Sequence, residues 1–238
     1  HFDGYWQDVG TIQSYWEANL ALLQDNAALD LYDRDWLIHT RSEERAPALV
    51  GPTAQVHRSM ISHGCVINGT VVNSVLSPGV RVDVGAVVRD SIVMFDSVIR
   101  SGAVVDRAIL DKEVVVGPGA IVGDGPDFDT PNKQEPSRLN TGITVVGKRS
   151  IIPRGVRIGR NVKIAGDVKA TDFRSRIVKS GASIESARPR GAAARLAAGK
   201  SAPPTRTAIP AESSTNGQRD AAAVGAGRTA AVGGQPES

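Results

Sequence analysis

The sequence predicts a mainly β protein: a parallel β-helix over about residues 50–185, preceded by a short helical segment and followed by a disordered tail. Three observations lead there. A 17-residue unit repeats without gaps from Asn73, glycine recurs at one slot of that unit, and aromatic residues crowd one end of the chain. Of ten aromatic side chains, Phe2, Tyr5, Trp6, Tyr15, Trp16, Tyr32 and Trp36 precede residue 37, and only Phe95, Phe128 and Phe173 follow. An aromatic-rich start is thus joined to a core of Val, Ile, Ala and Gly.

Residues 11–23 read as an amphipathic helix. Thr11 serves as N-cap, Ile12, Tyr15, Trp16, Leu20 and Leu23 recur at helical spacing, and Gln13, Ser14 and Glu17 fall opposite. Asn19 interrupts the apolar stripe. Residues 24–50 form an irregular connector.

From about residue 56 the period changes. The segments Asn73–Arg89, Asp90–Asp106 and Arg107–Gly123 align with Gly85, Gly102 and Gly119 in register, each followed by Ala. A fourth copy, Ile143–Gly159, puts Gly155 in the same slot, and an earlier copy, Arg58–Val72, lacks two residues. Each copy divides into steps of six, as Val146, Ile152, Ile158 and Ile164 show. Three hexads per unit are what a triangular coil of three short strands needs, with stacked coils pairing in parallel at ~4.8 Å. Small aliphatic side chains suit so narrow an interior, which accounts for the missing aromatics. Residues 124–142, polar and Pro-containing, read as a loop thrown out between coils. After residue 185 the composition falls to Ala, Gly, Pro, Ser and Arg, too little apolar area to offset ordering, so disorder is expected. The expected division is 1–47, 48–185 and 186–238.

The formal charge of +3 is unevenly placed. Residues 186–238 hold seven basic and three acidic side chains, which leaves the first 185 residues at −1 and implies no nucleic-acid surface. The single cysteine, Cys65, excludes an internal disulfide and reads as a buried small hydrophobe. No stretch approaches the ~20 apolar residues of a membrane span, and no signal segment opens the chain, so a cytoplasmic protein without a membrane partner is expected. His1 in place of Met is what a fragment would show.

Three stretches carry a family resemblance: GYWQDVGTIQSYWEANLALL (Gly4–Leu23), LDLYDRDWLIHT (Leu29–Thr40) and ISHGCVINGTVVNSVLSPGVRVDVGAVVRDSIV (Ile61–Val93). Together with the later ILDK and VVGK segments, they resemble the C-terminal part of bacterial ADP-glucose pyrophosphorylases over roughly residues 1–185. The resemblance implies a left-handed β-helix preceded by the helical remnant of an α/β nucleotidyltransferase domain. It also implies transfer of the adenylyl group of ATP to glucose 1-phosphate with Mg²⁺, in glycogen synthesis, by a homotetramer activated by an anionic glycolytic metabolite. The Gly-rich basic loop that holds the nucleotide phosphates in that family is absent from these residues, so the chain alone is expected to be inactive and to bind no metal. Asp8 matches the family aspartate that helps hold the catalytic Mg²⁺; the bland alternative is a residue favouring the positive end of the helix that follows.

Lys112 and Lys148 lie 36 residues apart, but omitting loop 124–142 leaves 17, one coil. Both occupy the sixth slot of their copies, so they are expected to stack, and a bound anion would relieve the repulsion between them. They also match lysines that bind phosphorylated activators in relatives of that family. An allosteric anion site is the reading, against two solvated lysines. Arg154, Arg157 and Arg160 read as solvated corners, since a spacing of six puts successive residues on different sides. Hexapeptide repeats are shared with acyltransferases that use a histidine base, which draws attention to His57 and His63. His63 aligns with the corner residue Pro78, and exposed or structural histidines are expected. Ser59, Ser74 and Ser91 recur in register as ladder residues. A hexapeptide acyltransferase and a structural interaction module remain the alternatives.

Overall fold

The computed structural model describes residues 1, 3–36, 38 and 44–187. The expected disorder of 186–238 falls, beyond Ala187, outside the described residues.

Helix α1 spans Ile12–Ala21. Thr11 Oγ1 accepts from the Ser14 amide at 3.0 Å while Ser14 Oγ accepts from the Thr11 amide at 3.1 Å, closing a reciprocal capping box at the predicted N-terminus. Asn19 is tolerated in the stripe because its amide donates to the Tyr15 carbonyl one turn back. From sequence alone the helix is expected to be poorly anchored, since no partner for its apolar stripe is evident, but the structure gives it one. Ile12, Tyr15 and Trp16 cover Ile92, Ile109 and Ile143 on the outside of the β-helix, and the Trp16 indole N–H donates to the Asp90 carbonyl at 2.8 Å.

Among the described residues the rest is a parallel solenoid of about eight turns, consistent with the left-handed β-helix of hexapeptide repeats. Its first face stacks Leu49–Val50, Val66–Ile67, Arg81–Val82, Val98–Ile99, Val115–Val116 and Ile151–Ile152. The second stacks Gln55–His57, Thr70–Val72, Val87–Arg89, Val104–Asp106, Ile121–Val122, Arg157–Ile158 and Ile177–Val178. The third stacks Met60–Ile61, Val75–Leu76, Ile92–Val93, Ala108–Leu110, Thr144–Val146, Lys163–Ile164 and Ser183–Ile184. The register is the one the repeat dictates: Val75 pairs with Ile92, Ile92 with Ile109 and Ile109 with Val145, across the loop. The two missing residues of the early copy are lost at the Asn68–Gly69 corner, because Val50 to Gln55 is a longer step than Ile67 to Thr70.

Each face sends one residue per strand inward. Ile99, Val105 and Leu110 are examples, all at 0% exposure. Burying each such side chain contributes roughly 1.5–3 kcal/mol, so the stack as a whole holds the fold. Turning the chain at the corners requires left-handed backbone. Gly85, Gly102, Gly119 and Gly155 meet this at one corner, with φ of 72, 68, 64 and 67°. The other two corners use side-chain-bearing residues over several coils: Arg58, Asn73, Asp90 and Arg107 at one, and at the other Asp96, Glu113, Arg149 and Asp167, which follow Gly64 and Gly79 of the earlier coils. Left-handed backbone costs an L-residue about 1–2 kcal/mol, and polar contacts between coils offset it at both corners.

Loop 124–142 interrupts the repeat as predicted, but it is not thrown outward. Asn132 and Leu139 are buried at 0% and 2%, and the loop lies back along the later coils. Asn132 Nδ2 donates to the Asn161 and Ala182 carbonyls, and Asn161 Nδ2 donates to those of Phe128 and Thr130. The last coil is longer, Arg157 pairing with Ile177, and accommodates a 3-10 turn at Ala170–Asp172. Phe173 packs on the end of the core behind it.

Candidate anion site

The corner that follows the third face carries the two lysines. Leu110 pairs with Val146, and the Arg149 amide donates to the Lys112 carbonyl at 2.9 Å, so Lys112 and Lys148 occupy the same slot of successive coils. Phe95 fills that slot one coil earlier, since the Glu113 amide donates to its carbonyl at 2.8 Å. Loop 124–142 therefore brings residues 36 apart in sequence one coil apart in space.

Their surroundings were not legible in advance. The Lys112 ammonium lies 5.6 Å from the centre of the Phe95 ring, a cation–π distance, and the Lys148 ammonium is 3.4 Å from the Glu113 carboxylate. Arg149, the next residue, donates through Nε and Nη2 to Asp167 at 2.7 and 2.9 Å. Glu113 was overlooked, although it directly follows Lys112. The signal was available one slot along, where Asp96, Glu113, Arg149 and Asp167 form a charged column. The two lysines thus share one corner slot on successive coils, each with a local partner of its own.

Asp8 is exposed and sits two residues before Gly10, whose amide donates to Asp8 Oδ1 at 2.9 Å. It thus shapes the turn into α1. Among the described residues no cluster of three or more His, Cys, Asp or Glu side chains forms.

The three arginines behave differently from one another. Arg154 is exposed at a corner, whereas Arg157, expected at one too, opens the strand Arg157–Ile158 of the second face, where it is exposed and paired with Asp124 at 2.8 Å. Arg160 overturns its reading as a solvated corner, because it is 5% exposed. Its guanidinium donates to the Gly125 carbonyl, the Asp106 carbonyl and, at 2.7 Å, the Asp106 carboxylate, and it stacks 4.6 Å from the Phe128 ring centre. Residues of the loop cover it, which a spacing rule cannot see. Arg89 reaches the same carboxylate at 3.0 Å. Burial pushes the Asp106 carboxyl up, but hydrogen bonds and charge from Arg89 and Arg160 outweigh it and hold the group below the usual carboxylate range. These residues line a groove of about 360 Å³ on the second face, and their charges are spent on one another.

His57 and His63 are exposed; the His63 carbonyl accepts from Gly79 at the corner, as alignment with Pro78 requires. The serines form the expected ladder: Ser74 Oγ donates to the Val72 carbonyl and accepts from the Ser91 amide, and Ser91 Oγ repeats this with Arg89 and Ala108. Cys65 is fully buried, burial pushes its thiol pKa up, and its Sγ donates to the Ser77 carbonyl. No helix among the described residues is long and apolar enough to cross a membrane.

Triangular coils, hexad register and a loop between coils define a hexapeptide-repeat protein. The family model described as GlmU-like, C-terminal hexapeptide, matches residues 48–146. Beyond that span, the chain is homologous to the C-terminal part of proteins named glucose-1-phosphate adenylyltransferase. It is 61% identical over 184 residues to that of Thermomicrobium roseum, covering 77% of this chain and 43% of the relative. It is 42% identical over 183 residues to that of Acetivibrio thermocellus (77% and 42%) and 42% over 166 residues to that of Fervidobacterium nodosum (70% and 40%). The chain thus spans less than half the length of these relatives.

Proposed function

We propose that the chain is the regulatory and assembly portion of a cytoplasmic glucose-1-phosphate adenylyltransferase. In that reaction a phosphate oxygen of glucose 1-phosphate bonds to the α-phosphorus of ATP, the α–β bridge breaks, and ADP-glucose and pyrophosphate result. The observation that carries the reading is the 61% identity over 184 residues, which extends well past the 99 residues of the hexapeptide match and so is not a likeness of repeats alone. In the whole enzyme Asp8 supplies one carboxylate to Mg²⁺, with the remaining ligands outside these residues. Lys112 and Lys148 take the phosphoryl group of a glycolytic metabolite as activator. The β-helix contributes subunit contacts to a homotetramer.

Joining the catalytic portion of the Thermomicrobium roseum relative upstream of His1 tests this. ADP-glucose should form, 3-phosphoglycerate or a sugar phosphate should raise the rate, and K112A/K148A should lose that activation. Undiminished activation in the double variant would remove the lysines from the reading. Absence of ADP-glucose formation, with acyl-CoA binding by the present chain in calorimetry, would instead favour the hexapeptide acyltransferase.

A further inference from the structure

The structure assigns to Glu113 a selecting role at this corner, which rests on the anion-site reading above: its carboxylate occupies Lys148 when no ligand is bound, so that an incoming anion must displace it and only a dianion bridging Lys112 and Lys148 gains by the exchange. The corner is charge-balanced from within. Lys112, Lys148 and Arg149 share it with Asp111, Glu113 and Asp167. Arg149 is held by two hydrogen bonds to Asp167, and Asp111 Oδ1 accepts the Lys112 amide at 2.7 Å. Glu113 is the carboxylate that closes on an ammonium group of the pair, at 3.4 Å.

Two features make this contact an exchangeable one. Its side chains are 39% and 49% exposed, so water competes for both and the pair is weak. Its position is nonetheless enforced, because Glu113 turns the corner at φ 60° with its amide bound to the Phe95 carbonyl. A tethered carboxylate of this kind acts at a high effective concentration. A free monoanion would only replace one carboxylate by another, without the advantage of the tether. A phosphoryl or sulfuryl dianion adds a second charge and oxygens enough for both lysines, since the Lys112 ammonium rests on the Phe95 face with its donors still available. The ligand class is therefore a dianionic oxyanion, with monocarboxylates excluded by Glu113.

Sulfate and acetate are the probes, titrated at constant ionic strength into the 238-residue chain, E113Q and K112A/K148A, with the lysine ε-methylene signals followed by NMR. Wild type should bind sulfate ~10-fold or more tighter than acetate. E113Q should tighten acetate by ~3–10-fold and sulfate by less, so that the preference shrinks, while K112A/K148A loses both. An unchanged unfolding midpoint establishes that E113Q is folded. Sulfate binding that survives in K112A/K148A, or is absent from wild type, overturns the anion site and this inference with it. Loss of sulfate in K112A/K148A with an unaltered sulfate-to-acetate ratio in E113Q leaves the site standing and overturns the role of Glu113.

Discussion

At Asp106 two guanidinium groups from different coils meet one carboxylate, and the buried one, Arg160, has no solvent to fall back on. Truncation to Ala strands a buried cation, so Asp106→Ala should lower the unfolding free energy by about 3–5 kcal/mol. Urea denaturation at pH 7 measures it. The pH dependence has a definite sign. Unfolded, the Asp106 carboxyl titrates near its ordinary value of ~3.9; folded, it titrates lower. Its contribution is complete above the unfolded value and disappears as pH falls through the folded one, so wild type and variant should converge in acid. A gap that stays constant below pH 3 would mean that packing, not the ion cluster, is responsible. A neutral counterpart is Ser91→Ala. It leaves the buried Ala108 amide without its acceptor, a loss of about 1–3 kcal/mol; no shift in the urea midpoint would reduce the serine ladder to ornament. At this scale the sequence announced what is local and periodic. The serine register, the corner position of His63 and the slot shared by Lys112 and Lys148 follow from counting in seventeens. Arg160 and Glu113 did not, because their partners are set by a loop folding back and by a neighbouring slot.

At the scale of elements, Arg107 joins helix α1 to loop 124–142. Its guanidinium lies 4.4 Å from the Trp16 ring centre and 5.9 Å from that of Phe128, and its Nε donates to the Thr141 carbonyl at 3.1 Å. A single side chain thus touches two elements that the repeat does not contain. Arg107→Asn removes these contacts while easing the corner, since φ is 47° and Asn adopts left-handed backbone more readily. Losing the stack and the hydrogen bond should still destabilise by about 1–3 kcal/mol. Hydrogen exchange should show protection falling together in residues 12–21 and 124–142; full protection of α1 in the variant would sink the link. Arg107→Lys should rescue only partly, because an ammonium group cannot stack as a plane and bridge at once. The helix and its cap at Thr11 were readable from spacing, as was the extent of the loop. Their docking was not, since Ile92, Ile109 and Ile143 present the same aliphatic pattern whether their outer face is bare or covered.

At the scale of the whole solenoid, each coil leans only on its neighbours, so stability is decided by how the ends are closed. The sequence shows coils that repeat alike but says nothing of how differently the two ends are finished. At the first coil Leu49 and Val50 are 60% and 55% exposed, and Ala54, Val56 and Ile61 are only partly buried. At the last coil Phe173 packs against the core, and Asn132 ties the loop to the Ala182 carbonyl while the Lys133 amide donates to Gly181. Asn132 is also the most heavily bonded of the clamps, its Oδ1 accepting from the Gln134 and Glu135 amides and the Ser183 hydroxyl. Amides of residues 49–61 should therefore exchange through local openings roughly 10–100-fold more readily than those of residues 98–116. Residues 177–184, though terminal to the solenoid, should stay within roughly 10-fold of the centre. Asn132→Ala cuts the clamp and should bring 177–184 down to the level of the first coil, with the central coils changed by less than about 2-fold. If 177–184 already exchange as freely as 49–61 in wild type, the loop covers the last coil without securing it. If Asn132→Ala loosens every coil equally, the solenoid opens as one unit and its ends are not the weak points.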